Sequence, residues 1–204
     1  MSALIAADDL RYRYPTGFQA GPLTFSSGPG VVHLTGPNGS GKTTLLRCLC
    51  GALRGFSGSV RIRGVDPREV AARRDVALLS AEPELPEFLT VDEAWQQLAA
   101  IRGVPDWAGG TLRDRLDLPP GLRVGHASAG QRRLIELLVA AAGDPAVLLL
   151  DEPFANLDPD RAHRVRTLLE AWRATRAIVI TSHLPLPLQP DQVAVTRAAG
   201  ADPA

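Results

Sequence analysis

The chain has 204 residues, 45% of them hydrophobic, which suits one domain with a core of its own. Acidic and basic residues balance at 22 each, and this balance argues against a protein that coats nucleic acid or an anionic membrane. The apolar run Ala146–Leu150 is far too short to cross a bilayer, and the N-terminus has no signal-peptide pattern. We therefore expect a cytoplasmic protein with no nucleic-acid partner.

Apolar runs rich in β-branched residues alternate with helical patterns, which is typical of an α/β fold with a largely parallel sheet. The predicted strands are, in chain order, Val31–Thr35, Val60–Ile62, Val76–Leu79, Val147–Asp151, Ala177–Thr181 and Val193–Thr196. The predicted helices are Thr43–Gly51, Val91–Arg102, Thr111–Leu116, Gln131–Ala142 and a last one that Asp158–Pro159 begins and that runs to about Thr175. We expect a single domain, 1–204, in which a sheet-based lobe (1–81 and 144–204) carries an inserted helical lobe (82–143). Leu184–Pro190 is predicted to be a rigid, proline-rich connector.

A glycine-rich loop separates the first predicted strand from the first predicted helix. It reads Gly36, Pro37, Asn38, Gly39, Ser40, Gly41, Lys42, Thr43, Thr44, and its first eight residues fit the phosphate-loop pattern GxxxxGK[ST]. In such a loop, backbone N–H groups and the helix N-terminus bind phosphate oxygens, while the Thr43 hydroxyl would bind Mg²⁺.

Lys42 is the only lysine among the 22 lysine and arginine residues of the chain. The β- and γ-phosphates need a compact charge on a thin stem that can lie along the loop. Arginine carries a wider, planar fork that demands bidentate geometry. The composition therefore singles out Lys42 as a phosphate-binding side chain.

Two carboxylates follow the apolar strand predicted at 147–151. An aspartate at such a strand end holds Mg²⁺ in P-loop NTPases, which favours Asp151 for that role. Glu152 lies one residue further, where it can face the γ-phosphate and polarise the attacking water as a general base. His183 follows the next apolar strand and can reach the same edge of the sheet. The alternatives are two acids that merely cap a loop and a histidine with a structural role.

Residues 126–133 read HASAGQRR and offer a second helix N-terminus. Ser128 and Gly130 supply a hydroxyl and a small residue there, which together make a natural seat for phosphate. The segment belongs to the helical lobe, which the ATP of its own loop need not touch. It makes sense as a phosphate site if it closes over the ATP of another copy. The alternative is that Ser128 is simply the N-cap of its helix.

Taken together, these residues resemble the ATPase subunits of ABC transporters over nearly the whole chain. The motifs that carry the resemblance are GPNGSGKT (36–43), ASAGQ (127–131), LLLDEP (148–153), ANLD (155–158) and His183, in that order. The resemblance implies a P-loop NTPase core of the ABC type and a Mg-dependent ATPase that uses ATP and Mg²⁺. It also implies a dimer, with itself or a homologous subunit, docked on a separate transmembrane permease at the inner face of the cell membrane.

The resemblance also implies roles for the matching residues. Lys42 and Thr43 would bind phosphates and Mg²⁺, Asp151 would bind Mg²⁺, Glu152 would be the base and His183 the switch. Ser128, Gly130 and Gln131 would contact the nucleotide held by the partner, and Asp158 would lie in the loop that crosses the dimer seam. Tyr14 looks like the aromatic residue that stacks on adenine, with Tyr12 as the runner-up.

Three features depart from the family pattern. The signature has Ala127 and Ala129 where LSGGQ is usual. The glutamine that usually contacts Mg²⁺ is missing; Ala81 takes its place, and Glu82 beside it is the candidate substitute ligand. The proline-rich connector replaces a helix after the switch histidine, and with the compact length it looks somewhat like the small ATPase of haem exporters.

The favoured hypothesis is the ATP-hydrolysing subunit of a transporter, with its small size leaning towards an exporter. One rival is a soluble ABC-type ATPase acting on ribosomes or DNA. A second rival is a regulatory nucleotide-binding subunit that hardly hydrolyses, which the missing glutamine permits. Glu152 and His183 argue against this second rival.

Overall fold

The computed structural model describes residues 3–82, 85–103, 108–183, 186, 188 and 190–194. Its strands are β1 (Ile5–Arg13), β2 (Gln19–Ser27), β3 (Gly30–Thr35), β4 (Ser57–Ile62), β5 (Val76–Leu79), β6 (Val147–Asp151), β7 (Ala177–Thr181) and β8 (Asp191–Ala194). Its α-helices are α1 (Lys42–Leu49), α2 (Val91–Arg102), α3 (Ala108–Arg115), α4 (Ala129–Ala140) and α5 (Pro159–Trp172). Short 3₁₀ turns occupy Val70–Arg74 and Val124–His126. The α/β fold class predicted from the sequence is confirmed.

The strands form two sheets. Five of them make an all-parallel sheet in the order β5-β6-β7-β3-β8, and three make an antiparallel sheet in the order β2-β1-β4. In the parallel sheet the carboxyl ends of β3, β6 and β7 lie side by side, since β7 pairs with both of the other two. The loops that follow these three strands therefore meet at one edge, and they carry the predicted phosphate loop, the two carboxylates and His183.

The central strands read as continuous apolar runs because both faces of the parallel sheet are covered. Leu148 and Leu150 pack on one side with the helices α2, α4 and α5, whereas Val147 and Leu149 pack on the other side with α1 and the antiparallel sheet. All five residues of β6 are buried. The sheet edge that carries the site is thus anchored in two apolar clusters.

Most predicted elements are present, with shifts at their ends. Helix α4 begins at Ala129, two residues before the prediction, because Ser128 and Gln131 form a capping box that lets the helix start there. Helix α5 ends at Trp172 rather than near Thr175. The strands β1 and β2 were not predicted at all. The connector 184–190 lies largely outside the described residues, as do residues 195–196 of the last predicted strand.

The helices α2, α3 and α4 all lie between β5 and β6 in the chain, within the stretch predicted to form the helical lobe. The lobe boundaries at 82 and 143 stay a prediction. Among the helices that the structure describes, none is long and apolar enough to span a bilayer.

Candidate functional site

A cavity of about 600 Å³ opens at the edge where β3, β6 and β7 end. Residues from five parts of the chain line it: Tyr14, Thr16, Phe18, Asn38, Gly39, Gly41, Lys42, Thr43, Thr44, Ala81, Asp151, Glu152 and His183. The structure therefore brings together the phosphate loop, both carboxylates, the histidine and the aromatic residue that sequence reasoning selected separately.

The phosphate loop is held in shape by its own lysine. The Lys42 ammonium donates hydrogen bonds to the carbonyl oxygens of Gly36 at 2.8 Å and Pro37 at 3.1 Å, so the side chain lies back along the loop. Lys42 is buried, as is Ser40, although the cavity reaches the lysine. A compact ammonium fits this path, which agrees with the reason given for a lysine at this position.

Gly41 is needed for two reasons. Its φ of 95° lies in the left-handed region, and a Cβ at this position would come within 2.4 Å of the Ala20 Cβ on β2. A side chain here would strain the backbone and push the loop away from the antiparallel sheet. Gly41 therefore lets α1 begin at Lys42, and the first residues of this helix line the cavity.

Asp151 has the features of a metal ligand. It is buried at the end of β6, its Oδ1 accepts a 2.5 Å hydrogen bond from the Thr181 hydroxyl, and its Oδ2 has no hydrogen-bond partner among the described residues. A buried carboxylate oxygen left unpaired is costly unless a cation or a ligand meets it. Thr43 lines the same cavity, and a carboxylate with a hydroxyl-bearing residue is a donor set that suits Mg²⁺, which prefers a few hard oxygens and phosphate.

Glu152 and His183 face each other at the rim. Glu152 Oε1 lies 3.3 Å from His183 Nε2, and the His183 backbone N–H donates to Oε2 at 3.2 Å. Glu152 has a φ of 52°, a left-handed conformation that is uncommon for a residue with a side chain. Its N–H donates to the Thr181 carbonyl at 3.2 Å and to the Thr181 hydroxyl at 3.1 Å, and these bonds hold the strained position.

Tyr14 lines the cavity, and its hydroxyl is 3.0 Å from the Thr44 hydroxyl on α1. Tyr12 does not line the cavity; it packs edge-on against Tyr14 with ring centroids 4.8 Å apart. Thr16 and Phe18 line the cavity as well, and sequence reasoning missed them. Their only sequence signal is nearness to Tyr14, because the hairpin that carries them was not predicted.

The predicted signature residues Ser128, Gly130 and Gln131 do not line this cavity, nor do Asp158 and the loop residues Gly36, Pro37 and Ser40. Ser128 and Gln131 are occupied with each other: the Ser128 hydroxyl accepts from the Gln131 N–H at 3.2 Å, and the Gln131 amide oxygen accepts from the Ser128 N–H at 3.0 Å. Gly130 is buried, and a Cβ there would come within 2.8 Å of the Asn156 carbonyl. Asp158 caps α5 by accepting from the Arg161 N–H at 2.8 Å. The N-cap reading of Ser128 therefore holds in this structure.

Glu82 also lies apart from the cavity. Its carboxylate is 3.6 Å from the Arg47 guanidinium and its side chain is 82% exposed, whereas Ala81 lines the cavity together with Asp151 and Glu152. The structure therefore does not bring Glu82 to the Mg²⁺ ligands, and its role as a substitute ligand stays a prediction.

The ABC transporter family model matches residues 22–155, from β2 through the phosphate loop to the loop after Asp151. The chain belongs to the ABC transporter family. It is an ATP-binding subunit of the kind that binds ATP, dimerises and partners with transmembrane permeases.

Curated relatives cover most of the chain. It is 33% identical to the phosphonates import ATP-binding protein PhnC 2 of Synechococcus sp., over 88% of this chain and 76% of that protein. It is 36% identical to the cytochrome c biogenesis ATP-binding export protein CcmA of Novosphingobium aromaticivorans, over 84% of this chain and 83% of that one. A solved ATP-binding subunit of an ABC transporter superposes with a TM-score of 0.80 at 25% identity, covering 89% of this chain and 80% of that chain.

Two buried residues of this ABC subunit support the site, and sequence reasoning missed both. Thr181, fully buried at the end of β7, contacts both carboxylate-bearing residues as described above. Arg133 on α4 is buried and donates to the Asp151 carbonyl. Thr181 is a small polar residue ending an apolar strand, which is a faint signal; Arg133 had none beyond its place in an apolar helix.

His33 on β3 is a third polar residue behind the site. Its ring is hydrogen-bonded to the backbone of Ser182, and its Nε2 is buried without a hydrogen-bond partner in the described part of the chain. Burial lowers the pKa of His33 below its ordinary 6.5, against the opposing effects of the Ser182 bond and the Glu152 charge. The fold therefore favours the neutral ring.

Proposed function

We propose that this chain hydrolyses ATP to power a transporter and that it works as a dimer. Each ATP would lie between the phosphate loop of one copy and the signature residues of the other. The observation that carries this proposal is the single cavity that unites Lys42, Asp151, Glu152 and His183 while leaving Ser128 outside it.

The residues of the cavity supply the parts that ATP hydrolysis requires. The Lys42 ammonium would release the Gly36 and Pro37 carbonyls to bind the β- and γ-phosphates. The carboxylate of Glu152 would accept a proton from the attacking water, and His183, already 3.3 Å from it, would hold that water or the γ-phosphate. Tyr14 would pack against the adenine.

Thr43 and Asp151 would hold Mg²⁺, with Glu82 as a further ligand if its side chain turns away from Arg47. Held by these residues, Mg²⁺ would supply positive charge against the negative charge that develops on the phosphates. The unpaired Oδ2 of Asp151 supports this assignment.

The signature residues support a site shared between copies. Helix α4 begins at Ala129, and its free N–H groups and dipole favour an anion beyond Ser128. Ser128 is exposed, and neither it nor Gln131 lines the cavity of its own chain. A phosphate at this helix start would therefore belong to the nucleotide of another subunit, with Asp158 in the loop at the seam.

We propose export as the direction of transport, on the grounds of the similarity to the CcmA export protein along most of both chains. The PhnC 2 relative is named for import, so direction requires its own test. Inverted membrane vesicles that contain the complex should take up cargo when supplied with ATP if the transporter exports. ATP-driven release of cargo from such vesicles would indicate import.

Two measurements separate this function from its rivals. Co-purification with a membrane protein supports a transport subunit over a soluble ABC-type ATPase. Magnesium-dependent phosphate release from purified protein supports hydrolysis over a regulatory binding role. A protein that binds ATP without releasing phosphate would overturn the proposal of an ATPase.

The shared site is tested by Glu152→Gln, which keeps the shape of the side chain but removes the base. With Mg·ATP this variant should elute as a dimer in size exclusion with light scattering, and as a monomer with ADP, because a ligand that favours the dimer shifts the equilibrium to it. Adding Ser128→Arg should abolish the dimer, since a bulky side chain would occupy the phosphate seat.

The control is Thr167→Arg in the same Glu152→Gln background, which places the same side chain on the exposed face of α5. It should dimerise normally. Losing the Ser128 cap costs about 1 kcal/mol, so calorimetric ATP affinity confirms that the double variant is folded. A folded Glu152→Gln, Ser128→Arg protein that still dimerises with ATP would rule out the shared site.

A further inference from the structure

Arg133 is a buried arginine on the signature helix, with 6% of its surface exposed. Its guanidinium donates to the Ser80 carbonyl at 2.6 Å and also to the Asp151 carbonyl. It forms an ion pair with Glu136, one turn along the same helix, at 2.9 Å. The contacts to Ser80 and Asp151 join residues 53 and 18 positions apart in the chain.

Both carbonyls belong to the edge of the sheet that carries the site. Ser80 follows the last residue of β5 and precedes Ala81, while Asp151 ends β6 and precedes Glu152. A second cavity, of about 290 Å³, adjoins the 600 Å³ cavity of the candidate site, since Ala81 and Glu152 line both. Arg133 and Glu136 line the second cavity. Arg133 thus lies directly behind the metal ligand and the base.

The geometry points to a positioning role. We propose that Arg133 couples the signature helix to the two strand ends, so that α4 and the pair Asp151–Glu152 keep a fixed relative position. This inference rests on the proposed function. A planar fork with several donors can bind two carbonyls and a carboxylate at once, which few side chains can do.

The coupling has a direct path to the signature. Helix α4 is a rigid rod whose first turn holds the Ser128 cap, and Arg133 lies just over one turn further along. A shift of the β6 end therefore moves the helix start that would receive the partner's phosphate. Ala81, at the same edge, has no polar side chain that could make such a link, so the main-chain contacts of Arg133 carry it.

The link is largely buried. The Arg133 side chain is 7% exposed and that of Glu136 11%, and charge-assisted hydrogen bonds are strong where water is excluded. Removing the arginine alone would break its buried ion pair with Glu136, which is destabilising for reasons unrelated to coupling. A test must therefore remove both charges together.

The test uses the double variant Arg133→Met, Glu136→Gln, which roughly keeps the side-chain volumes and removes both charges of this pair. We expect its calorimetric affinity for ATP to stay within about twofold of the wild type, because the phosphate loop is intact. Its kcat for hydrolysis should fall about tenfold to a hundredfold, since small misplacements of reacting groups have effects of that size. In the Glu152→Gln background it should also weaken ATP-dependent dimerisation.

Two controls isolate the link. Glu136→Gln alone removes the carboxylate paired with Arg133 but keeps both carbonyl contacts, so it should lower the urea midpoint while kcat stays near the wild-type value. Arg102→Gln removes another partly buried arginine that donates to two carbonyls, those of Ala140 and Ala142, but these lie within the helical region and not at the site. It should lower the urea midpoint without changing kcat.

The outcomes decide between coupling and a merely structural role. A kcat loss with retained ATP affinity, absent from both controls, supports the inference. Unchanged kcat and dimerisation in the double variant would overturn it, as would a loss of ATP binding together with hydrolysis. Wild-type protein without ATPase activity would contradict the proposed function instead, so the two failures are distinguishable.

Discussion

The Thr181 hydroxyl donates a 2.5 Å hydrogen bond to Oδ1 of Asp151. The oxygen of this hydroxyl also accepts a hydrogen bond from the Glu152 backbone N–H at 3.1 Å. One hydroxyl at the end of β7 thus contacts both the proposed metal ligand at the end of β6 and the proposed base just after it. Oδ2 of Asp151 has no hydrogen-bond partner among the described residues, which leaves it available to the proposed Mg²⁺.

Thr181→Val tests this relationship, since valine keeps the shape and removes the hydroxyl. We expect ATP hydrolysis to fall about tenfold to a hundredfold, the usual effect of losing a partner that orients a metal ligand. The concentration of Mg²⁺ needed for half-maximal rate should rise. Thr167→Val, which removes an exposed hydroxyl bonded to the His163 carbonyl at 3.0 Å, is the control and should change neither quantity. Normal Mg²⁺ dependence in Thr181→Val would exclude the orienting role.

Lys42→Arg tests whether the phosphate loop needs a lysine, and not only a positive charge, at position 42. The guanidinium is too wide to lie along the loop where the Lys42 ammonium meets the Gly36 and Pro37 carbonyls. ATP affinity measured by calorimetry should fall by at least about tenfold, or about 1.4 kcal/mol. Arg47→Lys, the reverse exchange near the end of the same helix, should bind ATP normally. An affinity unchanged in Lys42→Arg would show that charge alone is sufficient.

Glu82→Ala tests the predicted substitute for the missing glutamine. To reach the metal, the Glu82 carboxylate must leave its exposed pair with Arg47, which such pairs permit because they are worth at most about 1 kcal/mol. We expect Glu82→Ala to slow hydrolysis about tenfold while keeping ATP affinity, and Ala81→Gln to change hydrolysis little. Glu87→Ala is the matched control, since Glu87 is also exposed and lies 3.6 Å from an arginine. Full activity in Glu82→Ala would show that Glu82 has no role in hydrolysis beyond its ion pair with Arg47.

His33 predicts a pH dependence of stability. Burial lowers its pKa, so between the lowered value and 6.5 the unfolded chain binds more protons than the folded one. The contribution of neutral His33 to the free energy of unfolding is therefore fully present above pH 6.5. It is lost as the pH falls through the pKa of His33 in the folded protein. When the pH is lowered from about 8 to about 5, the urea midpoint of the wild type should fall by more than that of His33→Gln. The exposed His163→Gln should follow the wild type; if His33→Gln does so too, His33 does not cause the dependence.

Local pattern was sufficient for the elements around the site. The strands β5, β6 and β7 and the helix α2 have the predicted bounds, because short apolar runs between polar turns define buried strands and 3.6-residue periodicity defines the helix. The phosphate loop, the Asp151–Glu152 pair and His183 were identifiable because each lies at a strand end.

The hairpin of β1 and β2 was not identifiable. Strand β1 breaks its alternation at Asp8 and Asp9, where the register with its neighbours shifts, and Asp9 has a φ of 47°. Strand β2 contains Pro22, which is tolerated because β2 is an edge strand of its sheet. Thr16 and Phe18 were missed together with this hairpin.

The sequence by itself determined which chemical groups the site has, since phosphate loops and strand-end carboxylates are encoded by neighbouring residues. Only the tertiary structure decided how they are held. Thr181 meets Asp151 across 30 residues and Arg133 meets Ser80 across 53, and Glu82 turns to Arg47 although Ala81 lines the cavity. The physical reason is that backbone propensity and apolar periodicity act locally. Which polar atoms face one another depends on strand order and helix packing, and these arise only when the whole chain buries its two apolar clusters.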